Sequence, residues 1–337
     1  KLKVGVVTIE PHAWPWVRVV DRFMLDKIQL TAVWDYDPKL AEKFADEYKI
    51  REVVQTPEEM VGKVDAVLVA GGRRPPGENE AWGLKQDDHL ELSKPFLKNG
   101  IPVMMDKPLA DTVEDAVEMI RLAKTNDTLL MSCSANRYAA EIMALKKLVD
   151  DGDLGNLLGA TCMIGTGLTE LKWYLVHIFE AIYVIFGPGI ESVFAIPSGE
   201  KMVVGDDKLP AGHGMVYRWN DGRLVTVLLL RDETEGSIGT PKRGPRYLWP
   251  TDGIVAPYLP LFYYVQVYGD MYMQEVIVKG KGYYRLNLET FFEACRTGER
   301  PIPYDHMLEI TQALVAADKS AEINELVELT PTSDLMP

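Results

Sequence analysis

The chain has little cysteine, little histidine, few basic residues for its size and no long apolar run, and each shortage narrows what it can do. Cys133, Cys162 and Cys295 lie far apart with no CxxC pair, so a disulfide framework or a cysteine-rich zinc site is not expected and buried free thiols are. The 5 histidines form no cluster at metal-ligand spacing, and no metal is expected. Lys and Arg number 36 against 50 Asp and Glu, a formal net charge of -14. A field of that sign repels nucleic-acid backbones and anionic membranes, and Arg73 with Arg74, and Lys242 with Arg243, make no more than small basic pairs. No stretch reaches the roughly 18 to 20 apolar residues of a membrane span and no signal peptide opens the sequence, so a cytoplasmic protein is expected. Glycine is missing at one telling place. The strand-like "KVGVVTI" runs into Thr8, Ile9, Glu10, Pro11 and His12 with no glycine-rich turn.

What is present is an ordinary globular composition, 47% hydrophobic and 26% charged over 337 residues, a length suited to two domains of about 100 to 200 residues each. In the first part, short apolar runs ("KVGVVTI", "AVWDYD", "VDAVLVAGG", "IPVMMDKP", "TLLMSC") alternate with segments whose apolar residues recur every three or four positions ("PKLAEKFADEYK", "DDHLELSKPFLKNG", "TVEDAVEMIRLAKTN"). That alternation predicts an α/β fold with a doubly wound parallel sheet, helices on both faces and ligands at the carboxyl ends of the strands. The residues at those ends are therefore the candidates. Asp35 ends the second strand where an acid grips a ribose diol in dinucleotide folds. Asp37, ahead of Pro38, reads as a helix cap. Gly71 and Gly72 open a long loop over residues 71–88, and Arg73 and Arg74 offer guanidinium forks for a carboxylate or phosphate.

The most specific stretch is "VMMDKPLADTVEDAVEMIRLAKTND". It resembles the E-K-P segment of the Gfo/Idh/MocA family of sugar oxidoreductases, with Asp106 for the usual glutamate, then Lys107 and Pro108. The flanks "AVWDYDPKLAEKFADEY", "MSCSANRYAAEIMALKKLVDDGDLGNLLGATCMIG" and "YLVHIFEAIYVIFGPGIESVFAI" are similar to the family as well, as is the ending "LNLETFFEACRTGERPIPYDHMLEITQALVAADKSAE". The resemblance implies a Rossmann-type domain, placed at 1–132. It also implies a second α/β domain at 133–337 with an open, mostly antiparallel sheet, its C-terminal helices free to pack back on the first. It further implies a carbohydrate substrate, NAD or NADP with NAD favoured, and a homo-oligomer formed through the second sheet.

By the same resemblance Lys107 donates to the reacting sugar oxygen and His177 is the general base on its hydroxyl, with Tyr174 within reach three residues earlier. The pattern departs from the family at Trp173, where an aspartate is usual. Glu170, Trp173, His177 and Glu180 share one helical face and are read as a possible wall, partly core. At the first strand, G-x-G-x-x-G/A aligns with Thr8, Glu10 and Ala13, so close backbone approach is impaired and Glu10 brings a carboxylate where phosphate should sit. A nucleotide held in a modified pose would draw on Thr8, His12, Asp35, Gly71, Arg73, Asp106 and Lys107. Two alternatives stay open: redox-independent carbohydrate chemistry (hydrolysis, elimination or isomerisation) and a non-catalytic sugar sensor.

Overall fold

Valine-rich strands without polar alternation can be satisfied only by burial on both faces, and that requirement organises the first unit. The computed structural model describes residues 1–9, 12–71, 88–166, 171–199, 201–204, 207–210, 212–231, 262–279 and 282–336. The chain divides into one unit of residues 1–133, 284–308 and 336–337, and a second of 134–283 and 309–335.

In the first unit, β1 (Leu2–Val7), α1 (Ala13–Phe23), β2 (Ile28–Trp34), α2 (Pro38–Tyr48), β3 (Glu52–Val53), β4 (Ala66–Val69), α3 (His89–Leu97), β5 (Val103–Met105), α4 (Val113–Thr125) and β6 (Leu130–Ser132) follow one another. The sheet order is β3-β2-β1-β4-β5-β6 and every pair is parallel, the dinucleotide-fold order with its topological switch between β1 and β4. Val4, Val6, Val7, residues 66–70 and residues 103–105 are fully buried, as strands covered on both faces must be. The helix ends follow local chemistry. Asp37 accepts the Lys39 N–H and caps α2 with Pro38 in its first turn, as its sequence predicts, while Thr112 caps α4 through the Asp115 N–H.

In the second unit come α5 (Ala140–Asp150), β7 (Leu157–Thr166), α6 (Leu171–Phe186), β8 (Ile190–Pro197), β9 (Lys201–Val204), β10 (Asp207–Pro210), β11 (Gly212–Trp219), β12 (Leu224–Arg231), β13 (Phe262–Gly269) and β14 (Met273–Val278). The chain then passes through α7 (Tyr283–Thr297), which from Tyr284 on belongs to the first unit, and α8 (Tyr304–Ile323), which returns to the second unit at Glu309, before β15 (Val327–Glu328) completes a seven-stranded sheet of order β14-β13-β7-β12-β11-β8-β15. Only β7 and β12 pair parallel in it, so the expected mostly antiparallel sheet is present. Its inner face (Val225, Val227, Leu229, Val265, Val267, Tyr217) packs with Leu175, Phe179 and Ile182 of α6 in one apolar core. The segment "LKWYLVHIFEAIYVIF" is apolar on most of its circumference and is largely buried accordingly. No helix among the described residues is long and apolar enough to cross a membrane. Cys133, Cys162 and Cys295 form no disulfide, and Cys295 is only half-buried, which corrects the expectation of three buried thiols.

Candidate active site

At the end of β1, Thr8 turns the chain in the left-handed region at φ 60, the conformation for which the dinucleotide fingerprint ordinarily uses glycine. A β-branched residue there costs about 1–2 kcal/mol. Its buried side chain folds back on the strand, Oγ1 donating to the Val7 carbonyl at 2.6 Å. The turn keeps its backbone path but is filled by a side chain.

Asp35, just past β2, is fixed by that turn. Its Oδ2 accepts the Ile9 N–H at 2.8 Å and its Oδ1 the Asp37 N–H at 2.9 Å. Burial pushes its carboxyl above the ordinary value, against the two N–H groups that pull it down. Each oxygen has lone-pair capacity beyond the one bond it accepts, which is what a ribose diol needs from an acid at this position.

The start of α1 differs in kind from a phosphate cradle. The Ala13 N–H is spent on the Ile9 carbonyl at 3.0 Å, the Trp16 N–H on the His12 carbonyl at 3.2 Å, and Pro15 has no N–H to offer. A buried hydrogen-bonded pair stands there instead. His12, the residue before α1, meets Asp106 through Nδ1 and Oδ2 at 2.6 Å, with the two side chains 5% and 3% exposed. Burial alone would raise the Asp106 carboxyl, but the charge and hydrogen bond of His12, with Lys107 and His89 beside it, hold it below the usual carboxylate range. An ionised carboxylate only accepts, so His12 Nδ1 carries a proton. The Asp35 carboxylate fits the ribose diol of a dinucleotide, whereas the buried His12 side chain is committed to Asp106.

Lys107 follows Asp106 at the end of β5 and is itself buried; burial pulls its ammonium below the ordinary range, against the neighbouring Asp106. Ser132 Oγ donates to the Asp106 carbonyl at 3.0 Å and ties this strand end to β6. Gly71, at φ 67, is held by another neighbour: a Cβ on it would lie 2.1 Å from His89 Nε2, and that buried ring is anchored by Nδ1 to the Leu109 carbonyl at 3.1 Å. Thr8, Asp35, Gly71, Asp106 and Lys107 thus lie at the first unit's strand ends, with His12 at the start of α1, where open α/β sheets form their ligand crevices. Glu10, Pro11, Arg73, Arg74, Glu170 and most of the 71–88 loop lie outside the described residues.

His177 and Tyr174 belong to the second unit. Their rings meet edge to face at 5.5 Å between centroids, and Tyr263 of β13 approaches the same imidazole at 5.3 Å. Ser134 Oγ lies 2.6 Å from His177 Nδ1. One turn on, Glu180 is paired with Arg137 at 2.9 Å, both largely buried. Burial pushes the Glu180 carboxyl up to about 7, against Arg137 and the Ser134 N–H that lower it. Glu180 is therefore committed to an internal ion pair, not to a wall with Trp173 and His177. Ser134, Tyr263, Arg137 and His89 escaped the sequence reading. Only the "SANRY" and "DDHLEL" segments carried any signal for them, as polar residues at a strand end or a helix start.

Residues 3–133 match the family described as "Oxidoreductase family, NAD-binding Rossmann fold", GFO_IDH_MocA. Among curated proteins, the trans-1,2-dihydrobenzene-1,2-diol dehydrogenase of Oryctolagus cuniculus is 28% identical over 166 residues, 49% of this chain and 47% of that protein. The scyllo-inositol 2-dehydrogenase (NADP(+)) of Bacillus subtilis (strain 168) is 26% identical over 136 residues, 38% of each chain. The chain thus spans less than half the length of these curated relatives. Among solved structures, the myo-inositol 2-dehydrogenase of Lactobacillus plantarum has a TM-score of 0.76 at 14% identity, covering 98% of this chain and 99% of that one. The scyllo-inositol dehydrogenase of Lactobacillus casei, solved with NAD(H) and scyllo-inositol, has a TM-score of 0.75 at 14% identity, covering 97% and 99%. At such identities the likeness is one of fold. Residues 3–133 match the NAD-binding Rossmann domain of the Gfo/Idh/MocA oxidoreductase family, and the whole chain shares the fold of these solved dehydrogenases.

Proposed function

We propose that this protein is a nicotinamide-dependent oxidoreductase acting on a hydroxyl-bearing carbon of a sugar or related polyol, with NAD preferred over NADP. The observation that carries the reading is the Asp35 carboxylate, fixed by two backbone N–H groups at the end of β2 in a sheet of dinucleotide-fold order. An acid in that position accepts a ribose diol and repels a 2'-phosphate. The substrate class is supported by the inositol and diol dehydrogenases among the relatives. When bound, the nicotinamide accepts or returns hydride. In this reading Lys107 donates to the reacting oxygen and stabilises the charge that develops on it, while His177, with Tyr174 beside it, governs the hydroxyl proton.

One observation favours a second reading. The His12–Asp106 pair stands where a phosphate cradle would offer backbone donors, and such a pair beside a lysine suffices for proton transfer on a sugar without any hydride. The reading also includes self-association: on β12, Leu224, Leu228 and Leu230 are 48%, 40% and 40% exposed opposite the core-facing Val225, Val227 and Leu229, so this strand is apolar on both faces. A second copy of the chain covering that face accounts for the pattern.

The test is NAD reduction, followed by the absorbance of reduced nicotinamide, across cyclitols, aldoses and simple diols. The expected result is turnover by the wild type and a loss of about 10²–10³-fold in Lys107→Ala with an unchanged circular dichroism spectrum. Wild-type rates in Lys107→Ala would remove that residue from the chemistry. Sugar consumption without any change in the nicotinamide would transfer the case to the second reading.

A further inference from the structure

The buried pair one helical turn beyond His177 has a use that stability does not explain. Glu180 is 2% exposed, between Phe179 and Ala181 on a helix whose other buried residues are apolar or tyrosine. Its Oε2 accepts the Arg137 guanidinium at 2.9 Å. Taking both charges out of water costs about as much as their attraction gains, and apolar residues of the same volume would serve the core as well or better. The contacts of the pair supply another reason for it. Arg137 sits in the short helical turn Ala135–Tyr138, which Ser134 caps by accepting the Asn136 N–H on Oγ at 3.1 Å. The Arg137 N–H donates to the Ser134 carbonyl at 3.1 Å, and the Ser134 N–H bonds the Glu180 carboxylate. One carboxylate of α6 thus grips this turn twice, through the backbone of Ser134 and the side chain of Arg137. What the grip delivers is Ser134 Oγ, 2.6 Å from His177 Nδ1. His177 and Glu180 are three residues apart on one helical face, so the imidazole and the anchor of the hydroxyl that meets it ride on the same turn of α6.

We propose that Glu180 is a positioning residue: with Arg137 it fastens the Ser134 turn to α6 and so holds Ser134 Oγ against His177, fixing the plane in which that imidazole meets a substrate hydroxyl. The hold is the same whichever of the two atoms carries the shared proton, and it adds to the Tyr174 and Tyr263 rings that flank the imidazole. Its effect on the reaction rests on the oxidoreductase reading, in which His177 governs the hydroxyl proton, whereas the fastening of Ser134 to His177 does not. A group that exchanges a proton in the transition state is sensitive to small displacements, so loosening the hold acts on turnover more than on binding.

The test replaces the pair by apolar residues of similar volume, Arg137→Met with Glu180→Leu, alone and combined with Ser134→Ala. The swap is expected to melt no lower than the wild type, because the desolvation cost goes with the charges. Its kcat on a polyol with NAD should nevertheless fall about 10- to 100-fold with KM within about twofold, and adding Ser134→Ala should lower kcat no further. Wild-type kcat in the folded swap, or a combined loss equal to the product of the separate ones, would overturn the proposal. Should the swap not fold, Glu180→Gln carries the same comparison, since its amide turns a donor toward the donors that the carboxylate accepts. A readout without substrate comes from imidazole NMR on protein labelled with nitrogen-15 histidine, with His177 assigned through His177→Gln. The swap and Ser134→Ala should displace the His177 signals in the same direction, and signals unchanged from wild type in the folded swap would overturn the proposal whatever the activity. Displaced signals in a protein whose wild type turns over no polyol with NAD would overturn the oxidoreductase reading alone.

Discussion

Removing the His12 side chain tests what now occupies the start of α1. In His12→Ala the Asp106 carboxylate stays buried but loses its 2.6 Å partner. Breaking a buried pair from one side costs about 3–5 kcal/mol, because the remaining charge is left in a poor solvent. Lys107 and His89 still act on Asp106, so the lower end of that range is expected, near 3 kcal/mol. That corresponds to a loss of roughly two orders of magnitude in hydrogen-exchange protection across β1, α1 and β5, read by mass spectrometry on peptides of residues 1–133 so that the first unit is followed by itself. Adding Asp106→Asn removes the stranded charge, so the double variant should recover about 1.5–3 kcal/mol of what the single changes sum to. The pH dependence has a definite sign. A carboxyl held below its ordinary value near 3.8 contributes stability that is present above that pH and is lost as pH falls through the lower, folded-state value. Acid unfolding of the wild type should therefore begin from a higher protection than that of Asp106→Asn and converge with it at low pH. A cost under about 1 kcal/mol in His12→Ala, or single effects that simply add, would refute the reasoning.

Glu180 makes the opposite prediction in the second unit. Its carboxyl is raised to about 7 by burial, so its contribution to stability is present below about 4.5 and is lost as pH rises through about 7. Thermal melts should show the wild type losing about 2–3 kcal/mol relative to Glu180→Gln between pH 5 and 8, and parallel curves would contradict this. For the exposed face of β12, sedimentation of the wild type should give a dimer or larger, and Leu228→Glu should give a monomer. A monomeric wild type at micromolar concentration would rule that face out as a self-association surface.

The fold was largely legible because its determinants are local. "VLVA" and "VMM" have no polar alternation and can only be buried strands, and Asp37-Pro38 and Thr112 carry their capping chemistry in adjacent residues. β3 was missed because a two-residue strand has no period to read. The site was legible in its residue types but not in its pairings. His12 and Asp106 are 94 residues apart and meet because β1 and β5 flank β4 in the sheet, which no spacing in the sequence reports. Ser134 reaches His177 across 43 residues, through a turn after β6 that packs on α6. Thr8 shows the limit of motif logic. The missing glycine signalled a lost turn, yet the backbone adopts φ 60 all the same and the side chain absorbs the change.

The measurement that bears most directly on the whole account is calorimetric titration of the protein, stripped of co-purified nucleotide, with NAD, NADH, NADP and NADPH. The account predicts micromolar or tighter binding of NAD or NADH, weaker binding of the 2'-phosphorylated pair, and loss of that discrimination in Asp35→Asn. No binding of any of the four at millimolar concentration would contradict it, and would leave the His12–Asp106 pair as the occupant of a site that no longer takes a dinucleotide.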